Sequence, residues 1–94
     1  MMDEMDEELM DILANSMTIY MSDLRDSTDN QDLDKIRNIN HKIKGSGSSF
    51  GYMDISEKAW SIHQYIDCNH DNVDYGYINS EVETLINMIE TEFM

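Results

Sequence analysis

Four apolar stripes at helical spacing constrain this chain more than any other feature. Near the C-terminus Ile78, Val82, Leu85, Ile89 and Phe93 recur at offsets of 4, 7, 11 and 15. Ile55, Ala59, Ile62 and Ile66 run at offsets of 4, 7 and 11. Leu9, Leu13, Met17, Tyr20 and Leu24 form a stripe near the N-terminus, widened by Met5, Met10, Ile12 and Met21. Leu33, Ile36, Ile39, Ile43 and Phe50 form the remaining one. Steps of three and four bring side chains onto one face of an α-helix. Proline is absent and glycine is limited to Gly45, Gly47, Gly51 and Gly76, so little interrupts long helices. No segment alternates as a strand does, and no long repeat is present.

The polar segments divide the stripes. The first helix is expected over residues 4–25. Asp3, Glu4, Asp6, Glu7 and Glu8 crowd its positive end and Arg25 suits its negative end. Residues 26–32 form a polar break in which Thr28 or Asp29 would cap a second helix over about 30–50. Residues 51–54 read as a turn. Asp54 would cap the third helix, with Glu57 at capping-box spacing. That helix should end near Cys68, before the turn-forming Asn69, His70, Asp71 and Asn72. The fourth begins near Asp74, with an irregular first turn around Gly76. Four helices joined by short loops imply an all-α, up-down-up-down antiparallel four-helix bundle occupying residues 1–94 as one domain. Each helix alone would be marginal, so stability must come from burying the four stripes together.

Charge narrows the partners. The chain of 94 residues carries a net charge of −14, which repels nucleic acid and anionic membranes. Cys68 is the single cysteine, so no intrachain disulfide forms. No apolar run is long enough to span a bilayer, and the N-terminus lacks the pattern of a secretory signal. A cytoplasmic, monomeric protein is the expectation. Of the six basic residues, Lys35, Arg37, Lys42 and Lys44 cluster around His41.

Helical projection orients that cluster. At 100° per residue, Ile36, Ile39, Ile43 and Phe50 lie about 160–220° from His41, so His41 must face solvent when they are buried. On its side of the helix Lys44, Ser48, Arg37 and Gly45 lie within about 60°. Gly45 and Gly47 each cost roughly 1 kcal/mol relative to alanine in a helix, with no structural return visible in the sequence. A missing side chain beside an exposed histidine makes room for another surface. Neutral imidazole is a nucleophile near physiological pH, and a lysine one turn away can offset the charge of a phosphoryl group on that ring. The arrangement suits phosphoryl carriage, with Arg37, Lys42 and Ser48 as candidates for docking.

The run His41-Lys42-Ile43-Lys44-Gly45-Ser46-Gly47-Ser48-Ser49-Phe50-Gly51 resembles the signature of the histidine-containing phosphotransfer (HPt) domains of two-component phosphorelays. Its later part is also similar to the phosphotransfer domain of chemotaxis histidine kinases. The resemblance implies that His41 is phosphorylated, and that the phosphoryl group passes to or from an aspartate of a receiver domain, on a response regulator or a hybrid kinase. It implies that Lys44 stabilises the phosphoryl group and that Gly45 permits docking. The family often has a glutamine or glutamate 22 positions after the histidine, which orients the ring. Here that position is His63, and His63, Gln64, Glu57 or a backbone group are the candidates for the role. Trp60 and Tyr52 are candidates for lining the docking surface. The partner's acidic pocket and magnesium would supply much of the chemistry, so this chain is expected to be a carrier rather than a kinase and to need no cofactor.

Three other readings fit less well. His41, His63 and His70 have no compact zinc-site spacing, so no metal is expected. Gly45-Ser46-Gly47-Ser48 follows no strand and lacks the Walker Gly-Lys-Ser/Thr, so it is not a nucleotide loop. An acidic bundle that binds receiver or kinase domains without being phosphorylated is the remaining alternative, opposed by the presence of both His41 and Lys44.

Overall fold

The computed structural model describes residues 4–94, with side chains from residue 7 onward. It contains four α-helices: α1 (Glu4–Asp29), α2 (Leu33–Ser49), α3 (Met53–Cys68) and α4 (Tyr75–Phe93). Each helix packs on its neighbours in the chain, and α1 closes the bundle against α4. The molecule measures 48 × 21 × 19 Å. Among the described residues there is no strand. The expected four-helix bundle is therefore the observed one. Asp3 and the side chains of Glu4, Met5 and Asp6 lie outside the described residues.

The core is made by the stripes. Leu13, Met17 and Leu24 of α1 are buried with Ile36, Ile39 and Ile43 of α2. Ile55, Ala59, Ile62 and Ile66 of α3 meet Ile78, Val82, Leu85 and Ile89 of α4. Burying an aliphatic side chain of this size contributes about 1.5–3 kcal/mol. Three expected members sit elsewhere: Leu9 is 41% exposed, Ile12 60% and Phe50 38%. Phe50 is the C-cap of α2 with non-helical backbone angles, so helical projection no longer describes it. Tyr52 takes the inward position at that end, its ring 4.9 Å from that of Phe93.

The helix ends correct the boundaries read from sequence. α1 runs through Asp29, four residues beyond the expected end. Ser27 and Thr28 do not break the helix, because their hydroxyls donate to the carbonyls of Asp23 and Leu24 one turn back. Neither Thr28 nor Asp29 caps α2. Asp32 does, accepting from Lys35 N at 3.2 Å. Asp54 is likewise not a cap: it lies in the first turn of α3, whose N-cap Tyr52 offers no side-chain hydrogen bond. α4 is regular from Tyr75, with Asp74 capping Tyr77 N and no irregularity at Gly76.

The ends of α1 and α2 share one device. Asp32 N donates to Ser27 O and Gln31 N to Thr28 O; Tyr52 N donates to Gly47 O and Gly51 N to Ser48 O. This is the Schellman pattern, in which the residue after the cap adopts a left-handed conformation. Gly51 does so at φ 84° without strain, whereas Gln31 does so at φ 51° with a side chain attached. A left-handed non-glycine residue costs about 1–2 kcal/mol, part of which is recovered when glycine replaces it. Gln31→Gly should therefore stabilise the protein by about 0.5–1 kcal/mol in urea denaturation. An unchanged or lower midpoint would show that Gln31 makes a compensating contact.

The two helix-interior glycines separate. Gly45 has open space where a Cβ would be, but one on Gly47 would lie 3.2 Å from Tyr52 O and 3.3 Å from Ser56 N. Gly47 is buried and allows the start of α3 to approach the backbone of α2. The expectation that both glycines lack structural return is thus wrong for Gly47. Gly45→Ala should stabilise by up to about 1 kcal/mol through helix propensity. Gly47→Ala should destabilise by about 1–2 kcal/mol, because overpacking outweighs the same propensity gain. Denaturation midpoints that move in the same direction for both variants would contradict the distinction.

Candidate functional site

The α2–α3 seam places the sequence-predicted residues. Because the helices are antiparallel, a step up one is a step down the other. Three facing pairs result: Arg37 with Asp67, His41 with His63, and Lys44 with Trp60. Below the surface Ser56 Oγ donates to Lys44 O at 2.9 Å, fixing the backbones beside the last pair.

His41 is exposed, as helical projection requires, while its neighbour Asn40 is fully buried and donates to Ile36 O at 2.8 Å. The His41 ring lies 5.7 Å from that of His63, centroid to centroid, at 40° between planes. The His63 side chain is only 7% exposed. Trp60, half-buried, stacks on the His63 ring at 4.9 Å and 15°. The Lys44 ammonium sits 4.6 Å from the centroid of that indole, a cation–π contact that steadies a long side chain near the site. Lys42, Gly45 and Ser48 are exposed on α2. Of the candidates for orienting His41, His63 is the one whose ring adjoins it; Gln64 and Glu57 are exposed on α3.

Arg37 differs from the reading as a free docking residue, because it is held within the chain. Its Nε and Nη2 donate to the two carboxylate oxygens of Asp67. That bond holds the Asp67 carboxyl below the usual carboxylate range and raises the Arg37 guanidinium further. Asp67 is the site residue that sequence reasoning missed. Its signal was present as an acidic residue one turn after His63, but only the antiparallel register sets it opposite Arg37.

Burial lowers the His63 pKa, and the positive surroundings of Arg37, His41 and Lys44 lower it further; Asp67 opposes them. The ring is neutral at pH 7, with Nδ1 buried and without a hydrogen bond. His70 lies in the α3–α4 connection, 3.7 Å from Asp71. Among the described residues no group of three His, Cys, Asp or Glu side chains converges to hold a metal ion.

A family model described as the Hpt domain matches residues 8–92. The chain belongs to the Hpt domain family. Hpt domains serve histidine phosphotransfer in two-component systems, as phosphoryl carriers rather than kinases, and interact with receiver domains and histidine kinases. No curated protein and no solved structure matches the chain. Among the described residues of this Hpt domain, no helix is long and apolar enough to cross a membrane.

A buried neutral histidine predicts a pH dependence. The lowered folded-state pKa means that the unfolded chain binds more protons just below the ordinary histidine value, so stability is full above about pH 6.5 and falls on acidification towards the folded-state pKa. The denaturation midpoint should thus drop between pH 7.5 and 5.5, and His63→Gln should reduce that drop. An equal drop in both proteins would assign the effect to other groups.

Proposed function

We propose that His41 is the phosphoryl-carrying residue of this Hpt domain, exchanging a phosphoryl group with an aspartate of a receiver domain on a response regulator or hybrid kinase. The observation that carries this reading is an exposed imidazole on α2, backed by a buried ring and flanked by an open glycine position. A partner's surface can approach to bring phosphorus in line with the ring nitrogen. Gly45 keeps that approach clear. Lys44, steadied on Trp60, offsets the phosphoryl charge. His63 orients the His41 ring in place of the amide or carboxylate usual in the family.

Docking would use the α2 face carrying Lys42 and Ser48, with Arg37 at its edge in the ion pair with Asp67. A basic face in an acidic domain attracts the acidic surround of a receiver's phosphorylation pocket. The same reading takes residues 1–94 as a single, monomeric, cytoplasmic domain that needs no cofactor of its own.

Incubation with a radiolabelled phosphoreceiver tests the assignment. The wild type should gain a phosphate that is labile to acid and stable to base, and His41→Gln should gain none. Equal labelling of the two proteins would remove His41 from the reaction.

A further inference from the structure

His63 has a second neighbour whose chemistry bears on the proposed transfer. Its buried Nδ1 lies 3.4 Å from Asp67 Oδ2 without the alignment of a hydrogen bond. Asp67 is itself fixed from α2 by Arg37. The charged or titratable groups facing His63 are Arg37, His41 and Lys44 on α2 and Asp67 on α3. Only Asp67 favours a proton on the ring. A neutral imidazole carries one N–H, and an adjoining carboxylate selects the nitrogen that bears it.

We propose that Asp67, clamped by Arg37, is a positioning residue that keeps the His63 proton on Nδ1, so that Nε2 is the hydrogen-bond acceptor for His41. This rests on His41 being the phosphoryl carrier. The 5.7 Å ring separation is longer than a ring-to-ring hydrogen bond, so the relay requires the two rings to close slightly when a partner docks. His63 Nε2 then accepts the N–H of His41, which fixes the His41 tautomer and leaves its other nitrogen with a free lone pair. That lone pair forms the N–P bond. The P–O bond to the donor aspartate breaks, and its electron pair stays on the carboxylate. The positive charge left on the His41 ring is stabilised at the N–H that His63 accepts. The reverse transfer to a receiver aspartate retraces these steps. A solvent-facing ring thereby gains a tautomer preference from a carboxylate it does not touch.

Nitrogen-15 NMR of the histidine rings across pH tests the relay in the full chain, using wild type, Asp67→Asn and Arg37→Met. Wild-type His63 should show the Nδ1–H tautomer when neutral. Asp67→Asn should shift His63 towards the Nε2–H form and lower its titration midpoint, whereas Arg37→Met should raise that midpoint by removing a facing cation. Phosphotransfer from a phosphoreceiver should slow about 10-fold or more in Asp67→Asn, as when other histidine-orienting carboxylates are lost, with helicity unchanged. A wild-type His63 in the Nε2–H form, or an Asp67→Asn protein with unaltered tautomer and rate, would overturn the proposal. The ring spectra are taken without phosphate. A wild type that takes no phosphoryl group would therefore refute the His41 reading, while the spectra separately decide the role of Asp67.

Discussion

The close approach of α2 and α3 at Gly47 is the contact on which the rest of the site depends. With no Cβ on Gly47, the backbone of Tyr52 and Ser56 comes near enough for Tyr52 N to donate to Gly47 O and for Ser56 Oγ to donate to Lys44 O. These bonds set the axial register of two antiparallel helices. A register shift of one residue would rotate partners by about 100° and separate the rings of His41 and His63. The glycine that at first reads as part of a cleared surface is therefore the internal hinge of the geometry, and Gly45 alone is the open position.

Electrostatics follows from that register. A net charge of −14 on 94 residues repels itself and disfavours the compact state. Arg25, Arg37 and Lys58 each bridge a different helix pair, through Glu83 and Glu90, Asp67, and Glu81. Exposed pairs of this kind contribute only about 0–1 kcal/mol each, so their main effect is to orient side chains. Lys58 with Glu81 is the less exposed case, and it draws Glu81 below its usual range with help from Tyr77. Among the described residues, Lys35, Lys42 and Lys44 form no ion pair. All three lie on α2, which leaves positive charge around His41 in a chain otherwise acidic.

The region beside His41 combines a rigid and an open half. The His63 ring stacks on Trp60 and adjoins His41, and burial disfavours its charged form. Toward solvent, Gly45 and Ser48 leave only small side chains beside the exposed His41 ring. A carrier of phosphoryl groups needs both halves: a ring held in one orientation, and access for a partner that brings the rest of the chemistry. No deep cavity is required for such a role, because the partner's surface completes the site.

Much of this was legible in the sequence, for a definite reason. Helical periodicity is a local property, so the four stripes, the outward direction of His41 and the motif from His41 to Gly51 could be read without knowing how helices meet. The helix ends were less legible, because Ser27 and Thr28 have turn chemistry and helix chemistry equally available. Ser27 and Thr28 bond back to the α1 carbonyls, and Asp32 rather than Asp29 caps α2. What only the tertiary structure decided is who faces whom across the seam. Arg37 is tied to Asp67, His63 rather than Gln64 adjoins His41, and Gly47 is a contact rather than a gap. Periodicity specifies which face of each helix is buried, but it carries no information on axial register between helices, which is set by packing at a few close contacts.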